Sequence, residues 1–266
     1  MKRRSALAAW MWSAMAGATV LSGCAKYQTP GGPADLRAMG ISRGEQIERT
    51  DANILEKMSR KPAADFPASI AVVRVQSAGY ESYTARGHGQ GNYSVLTTRE
   101  AESDTEMARL ESLPMVRGIA TMNRLVVPQY LSTEKDLREA AAAVHADMVL
   151  LYTFDTRFGV TTKIPALGMI TLGLFPDRES QVTSTASAAL IDTRTGFIYG
   201  LAEATSKAHQ PANAWTSQDA VDESRQRAER EAFVNLVGEV EKMWRGVAET
   251  YAVTRAVSGE SEAAVR

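Results

Sequence analysis

Three histidines, His88, His145 and His209, and one cysteine, Cys24, are all the chain holds of the residue types that most often do chemistry. Each histidine stands alone, without the HExxH or paired spacing that a zinc ion needs. Ser132-Thr133-Glu134-Lys135 matches the SxxK pattern in which a lysine helps activate a serine, but the companion SDN and KTG motifs are missing. The same four residues also suit the capped first turn of a helix. "GHGQGNY" (Gly87 to Tyr93) has the glycines of a phosphate loop, yet no helix opens behind it and no GK[ST] follows, so it reads as a mobile hairpin turn. Tyrosines and tryptophans are dispersed and form no stacking platform. No catalytic residue, metal or cofactor is therefore assigned. The chain reads as a non-enzyme, with a cell-wall-active serine enzyme using Ser132 and Lys135 as the rival.

Cys24 has a more specific context. The chain opens MKRR, continues with the apolar run SALAAWMWSAMAGATV and reaches LSGC, which is the basic, apolar and small-residue layout of a secretory signal. Leu21, Ser22 and Gly23 before Cys24 resemble the bacterial lipobox, where small residues let the backbone enter the peptidase and the thiol takes the lipid. As the sole cysteine, Cys24 cannot form an internal disulfide. The expectation is a signal peptide over residues 1–23 and an acylated Cys24, with Ala25 favouring delivery to the outer membrane over retention at the inner one. Several acyl chains hold far more firmly than one.

Cleavage would remove three of the 30 basic residues, Lys2, Arg3 and Arg4, and none of the 31 acidic ones, leaving an excess of about four negative charges. That balance suggests no nucleic-acid partner. Residues 24–45 are rich in glycine and proline and read as a tether spanning roughly 25 Å r.m.s.. Residues 46–253 read as one domain, and 254–266 as a polar, fraying tail.

Within the domain, helix and strand signals alternate. A helix is expected over 45–60, with Ile47, Ile54, Leu55 and Met58 on one side, followed by the strand "SIAVVRV". Ser103 to Glu106 resemble a capping box leading a helix that stops by Pro114, and "RLVVP" reads as the next strand. A second box at Thr133 to Asp136 leads the helix "KDLREAAAAVH" straight into the strand "DMVLLYTFDTRF", and "STASAALID-TRTG-FIYGLAEA" makes a hairpin with Gly196 at positive φ. A last helix, from about Ser217 to Tyr251, carries a broad apolar stripe. Its second half is expected on the sheet, and its first half, with Asp222, Arg225 and Glu229 among many charges, in solvent.

One stretch stands apart: "IPALGMITLGLFP", Ile164 to Pro176, without a charge. It is too short to span ~30 Å of hydrocarbon as a helix, and its prolines and glycines oppose a regular helix. Flanked by strands, it reads as the tip of a long hairpin. Leu167, Met169, Ile170, Leu172, Leu174 and Phe175 either fold back over the domain's core or stay exposed as a contact loop for a partner, a neighbouring subunit or the lipid surface.

The lipobox, the helix ending in "HADMVLLYTF", the long strand and "AALIDTRTGFIYG" before a final helix together resemble periplasmic lipoproteins related to the curli secretion channel and to the amino-terminal domain of the Tol propeller protein. With "LGMITLGLFP" added, they also resemble the rhombotarget lipoproteins, although the ending SGESEAAVR lacks the Gly-Gly sorting segment some of those carry. The resemblance implies an α/β (α+β) sandwich: a mostly antiparallel or mixed sheet with helices packed on it and a long carboxy-terminal helix. It also implies a scaffold or assembly role with an unknown envelope partner or self-association, at the outer membrane and facing the periplasm. An oligomeric secretion-channel component is a further alternative. The one hairpin available for a pore, residues 154–190, has an apolar tip where a barrel strand should alternate, which argues against a channel.

Overall fold

Strand β1 (Ala68–Ser77) is buried at eight of its ten positions because both of its faces are covered. Ile70 and Val72 point into one core, and Ala71, Val73 and Val75 into another. The computed structural model describes residues 32–34, 47–162, 178–211 and 218–252. In chain order these form helix α1 (Ile47–Ser59), β1, β2 (Gln90–Gly91), β3 (Tyr93–Leu96), α2 (Asp104–Glu111), β4 (Val116–Thr121) and β5 (Tyr130–Leu131). Helix α3 (Glu134–Ala143), β6 (Met148–Thr162), β7 (Arg178–Asp192), β8 (Ile198–Pro211) and α4 (Gln218–Val247) follow, the last ending in a π-helical turn, Ala248–Ala252.

The fold is mixed α/β, as expected. A six-stranded sheet runs β3-β1-β6-β7-β8, with β4 also paired to β1. Strand β1 is parallel to β4 and β6 and antiparallel to β3, whereas β6, β7 and β8 form an antiparallel meander. Helices α2 and α4 cover one face, where Phe233, Leu236, Val237, Val240 and Trp244 meet Leu150, Phe154 and Leu190. Helix α3 covers the other face, placing Leu137, Ala140 and Ala141 against Val149, Leu151 and Ile191. Its alanines let it lie close, and it ends in a Schellman motif with His145 at φ 57°: His145 N–H donates to Ala142 O and Ala146 N–H to Ala141 O. That turn delivers the chain into β6 with no loop between.

Four details depart from expectation. "RLVVP" is not a strand: the Asn123 side chain accepts Leu125 N–H at 2.9 Å and its carbonyl accepts from Val126 and Val127, so a turn forms and Leu125 is 93 % exposed. The strand in this region is β4, just upstream. The glycine-rich stretch is not a free turn either, because Gln90 and Gly91 pair with Tyr130 and Leu131 in a separate parallel ladder. The apolar side of α1 stays outside, with Ile54, Leu55 and Met58 at 48, 67 and 78 % exposure. Finally, Gly32–Ala34, within the stretch read as a tether, lies against the sheet: Ser77 N–H donates to Gly32 O, and Ala34 N–H to Thr153 Oγ1 at 3.0 Å. Among the described residues no helix is long and apolar enough to cross a membrane.

Candidate functional site

Alternation along β6, β7 and β8 builds a ribbon with two unlike faces. One series, Phe154, Thr156, Val182, Ser184, Ala186, Ala204 and Ser206, faces α4, and Ser206 Oγ donates to Ala228 O at 2.6 Å, seating the helix on the strand. The other series is rich in hydroxyls and charges, and among the described residues no helix covers this half of the sheet. There Thr185 and Thr205 share a hydrogen bond of 2.9 Å, Ser187 donates to Glu203 at 2.9 Å, and Arg157 meets Asp155 at 2.9 Å. Asp155, Arg157, Thr185, Ser187 and Glu203, together with Pro33 and Ala34, line an open hollow of about 450 Å³. Its groups are paired side to side within the ribbon.

The pairing of β6 with β7 continues without a break to Thr162 opposite Arg178, four residues past Phe158 opposite Val182. That is about 13 Å of ladder past buried Val182. The hairpin read from the sequence is therefore present up to the base of its tip. The six contact-loop residues, Leu167, Met169, Ile170, Leu172, Leu174 and Phe175, lie outside the described residues, as do Leu21, Ser22, Gly23 and Cys24.

Beneath the α4 side of the ribbon is a cluster that sequence reasoning placed in solvent. Arg225 Nε donates to Asp222 at 2.9 Å, and its terminal nitrogens donate to Glu229 at 2.7 Å and Glu100 at 3.0 Å. Arg74 on β1 donates to the same Glu229 oxygen at 3.0 Å, lies 3.7 and 3.8 Å from Glu100 and Glu102, and stacks 4.6 Å over the Phe154 ring. Thr156 donates to the other Glu229 oxygen at 3.1 Å, and Tyr152 donates to Glu102 at 2.6 Å. All six charged side chains are at most 4 % exposed.

Burial alone would lower the pKa of both arginines, but the carboxylates, Glu229 foremost, outweigh it and hold both above the ordinary value. Burial pushes Tyr80 up to about 12, and burial followed by the Glu102 carboxylate raises Tyr152 well above its usual range. With no side chain open to a substrate, the cluster works as a clamp joining the first half of α4 to β1 and to the Glu100–Glu102 segment. Its presence was half legible. Asp222, Arg225 and Glu229 share a stripe with Val221, Ala228 and Ala232, and Arg74 interrupts the apolar run from Ile70 to Val75.

The "AD" and "DTRTG" positions are also structural. The Asp192 carboxylate accepts from Ala63 N–H at 2.6 Å, Tyr199 Oη at 2.9 Å, and the Arg194 and Thr195 amides at 2.8 and 3.0 Å. Asp147 accepts from Ser69 N–H and Arg194 at 3.0 and 3.1 Å. Gly196, at φ 71°, closes the turn as expected, with an added Cβ falling 2.8 Å from the Arg60 guanidinium.

The SxxK residues take the role of a helix start. Asp136 accepts the Ser132 and Thr133 amides at 2.7 and 2.8 Å, and Lys135 Nζ sits 3.5 Å from Glu139. At α2 the Ser103 hydroxyl turns to the Glu106 carboxylate and caps no amide. Among the described residues no cluster of three or more histidine, cysteine, aspartate and glutamate side chains is arranged to hold a metal ion.

No protein-family model and no curated protein matches the chain. Among solved structures, it is similar to a protein of the DUF330 family model from Xanthomonas campestris, at 13% identity and TM-score 0.34, over 72% of this chain and 92% of that one. A second similar structure is the lipoprotein GNA1162 from Neisseria meningitidis, at 16% identity and TM-score 0.28, over 62% and 99%. A third is the hypothetical protein CT253 from Chlamydia trachomatis, at 11% identity and TM-score 0.28, over 65% and 95%.

Proposed function

We propose that this chain is a lipid-anchored protein of the bacterial envelope, held by an acylated Cys24 at the outer membrane and facing the periplasm, and that it works by binding and assembly. The lipobox-like Leu21-Ser22-Gly23-Cys24 supports the anchor. The observation that carries the binding role is the β6–β7 ladder, whose unbroken pairing to Thr162 and Arg178 brings the two strands that flank the charge-free segment 164–176 side by side. A long hairpin ending in leucine, methionine and phenylalanine offers a partner an apolar contact. The motif-level kinship with curli-channel, Tol-propeller and rhombotarget lipoproteins belongs to the same proposal, and Asp147 and Asp192 give those motifs a physical task in holding the sheet's end together. The serine-enzyme reading has less support, since Lys135 is drawn to Glu139 and Ser132 is held through its backbone.

The test is the Leu172→Asp variant of the full chain expressed in its own envelope. Intact mass spectrometry of the parent should find a chain starting at lipid-modified Cys24. The variant should keep its melting temperature within ~2 °C, in line with an exposed substitution, and lose crosslinked partners. A large drop in melting temperature with unchanged crosslinking would overturn the contact role, and an unmodified Cys24 thiol would overturn the anchor.

A further inference from the structure

Strand β8 is the last strand of the sheet, and among the described residues its outer edge pairs with nothing. Exposed edges are ordinarily guarded by a bulge, a proline, an inward charge or short length. Here the only register shift lies at the strand's start, opposite Leu190 and Ile191, and no proline comes before Pro211. The strand alternates in use: Leu201, Glu203, Thr205 and Lys207 are exposed on the open face, while Ala202, Ala204, Ser206 and Ala208 turn toward α4.

We propose that this edge binds a second copy of the chain, β8 against β8 in antiparallel register about a two-fold axis through Thr205. The charges select that register. With the axis at Thr205, Glu203 of each copy stands opposite Lys207 of the other, giving two opposite-charge cross-strand pairs on one face. Moving the axis one residue toward Ala204 puts Glu203 opposite Thr205, and moving it toward Ser206 puts Lys207 opposite Thr205, so both pairs vanish. On the α4 side the same register sets Ala204 against Ser206 and Ala202 against Ala208, small residues that let the strands approach without a clash. A two-fold pair of this kind is self-complementary, as isologous interfaces must be. The sheet would then run unbroken through both copies, with the two open faces forming one hydroxyl-rich surface. The proposal deepens the assembly role by naming the partner, and it is independent of the lipid anchor.

The experiment uses the full chain in its membrane. Residues directly opposite in an antiparallel pair have Cα atoms about 4.5–5.5 Å apart, within disulfide reach. Thr205→Cys, oxidised with copper phenanthroline, should therefore give a disulfide dimer. Leu201→Cys, on the same exposed face but ~27 Å from its counterpart in this register, should not. A dimer in the unsubstituted parent would report a free Cys24 thiol, which counts against the anchor alone; the pair Thr205→Cys and Leu201→Cys on a Cys24→Ser background then reads the register by itself.

In detergent-solubilised protein, Glu203→Lys or Lys207→Glu turns both pairs repulsive and should raise the dimer dissociation constant about tenfold. The double exchange E203K/K207E should return it to within about threefold of the parent. A parent that stays monomeric with no Thr205→Cys crosslink, equal crosslinking at Leu201→Cys, or a double exchange that folds yet fails to restore association would each overturn the proposal.

Discussion

Replacing Arg225 with methionine removes one of the two guanidinium groups that face Glu100, Glu102, Asp222 and Glu229, while keeping a side chain of similar length on α4. Three hydrogen bonds to carboxylates are lost, at 2.7, 2.9 and 3.0 Å, from a residue that is fully buried. Among the described residues, the Asp222 and Glu100 carboxylates then have no guanidinium within hydrogen-bond distance, and Glu229 is left to Arg74. Breaking a buried pair from one side costs about 3–5 kcal/mol, chiefly because the stranded charge stays out of water. In a domain of this size each kcal/mol moves Tm by about 2–4 °C, so Arg225→Met should lower Tm by roughly 6–20 °C. Arg227→Met, two residues along the same helix but exposed, is the control and should shift Tm by no more than about 2 °C. Thermal unfolding followed by far-ultraviolet circular dichroism measures both. Equal shifts for the two variants would refute the clamp and return the first half of α4 to solvent.

Alkaline pH should unfold the protein through its tyrosines. Tyr80 ionises near 12 in the folded chain, chiefly because of burial, and Tyr93, Tyr152 and Tyr199 are also raised. Against an unfolded value of about 10, raised folded values mean that stability is fully present below pH ~10 and is lost as pH climbs toward 12. A pH series of Tm should bend downward in that window and bend less in Tyr80→Phe; a flat profile to pH 12 would count against this. Gly91→Ala should also destabilise strongly, because Gly91 sits at φ 118° and an added Cβ would fall 2.3 Å from the Leu131 carbonyl oxygen, whereas Gly118→Ala, with nothing within 4 Å, should be tolerated. Equal denaturant midpoints for these two would show that the β2–β5 ladder yields to the side chain.

What the sequence made legible was what period and punctuation encode. The α3–β6 step could be read from "KDLREAAAAVHADMVLLYTF" because the alanine stripe, the absence of a loop and the apolar strand start all agree. The β7–β8 hairpin could be read from "DTRTG", where Asp192, Thr195 and Gly196 do local work. Long-range pairing left weaker traces. "RLVVP" has strand composition, but the Asn123 side chain captures the following amide first. The charges of α4 looked like a solvated face because their partners, Arg74 and Glu100, lie more than a hundred residues away. The Gly32–Ala34 contact had no signal at all, since this segment contributes only backbone groups to its hydrogen bonds. Of the candidate site, the hairpin could be read from its two flanking strands, while the edge of β8 became visible only once the strand order was known.

The ionic clamp also bears on how α4 finds its place along the sheet. A helix with a long stripe of alanine, valine and leucine could slide by one turn, about 5.4 Å, and still bury much the same apolar area, because such contacts are non-directional. The clamp closes at only one axial position: a one-turn slip in either direction would carry Arg225 and Glu229 away from Glu100 and Arg74 and leave charges stranded on both sides. The apolar stripe therefore supplies adhesion and the charges supply an index mark, like a key seated in its slot. The mark is collective, since a change to any one of these side chains strands its counterparts on β1 and the Glu100–Glu102 segment.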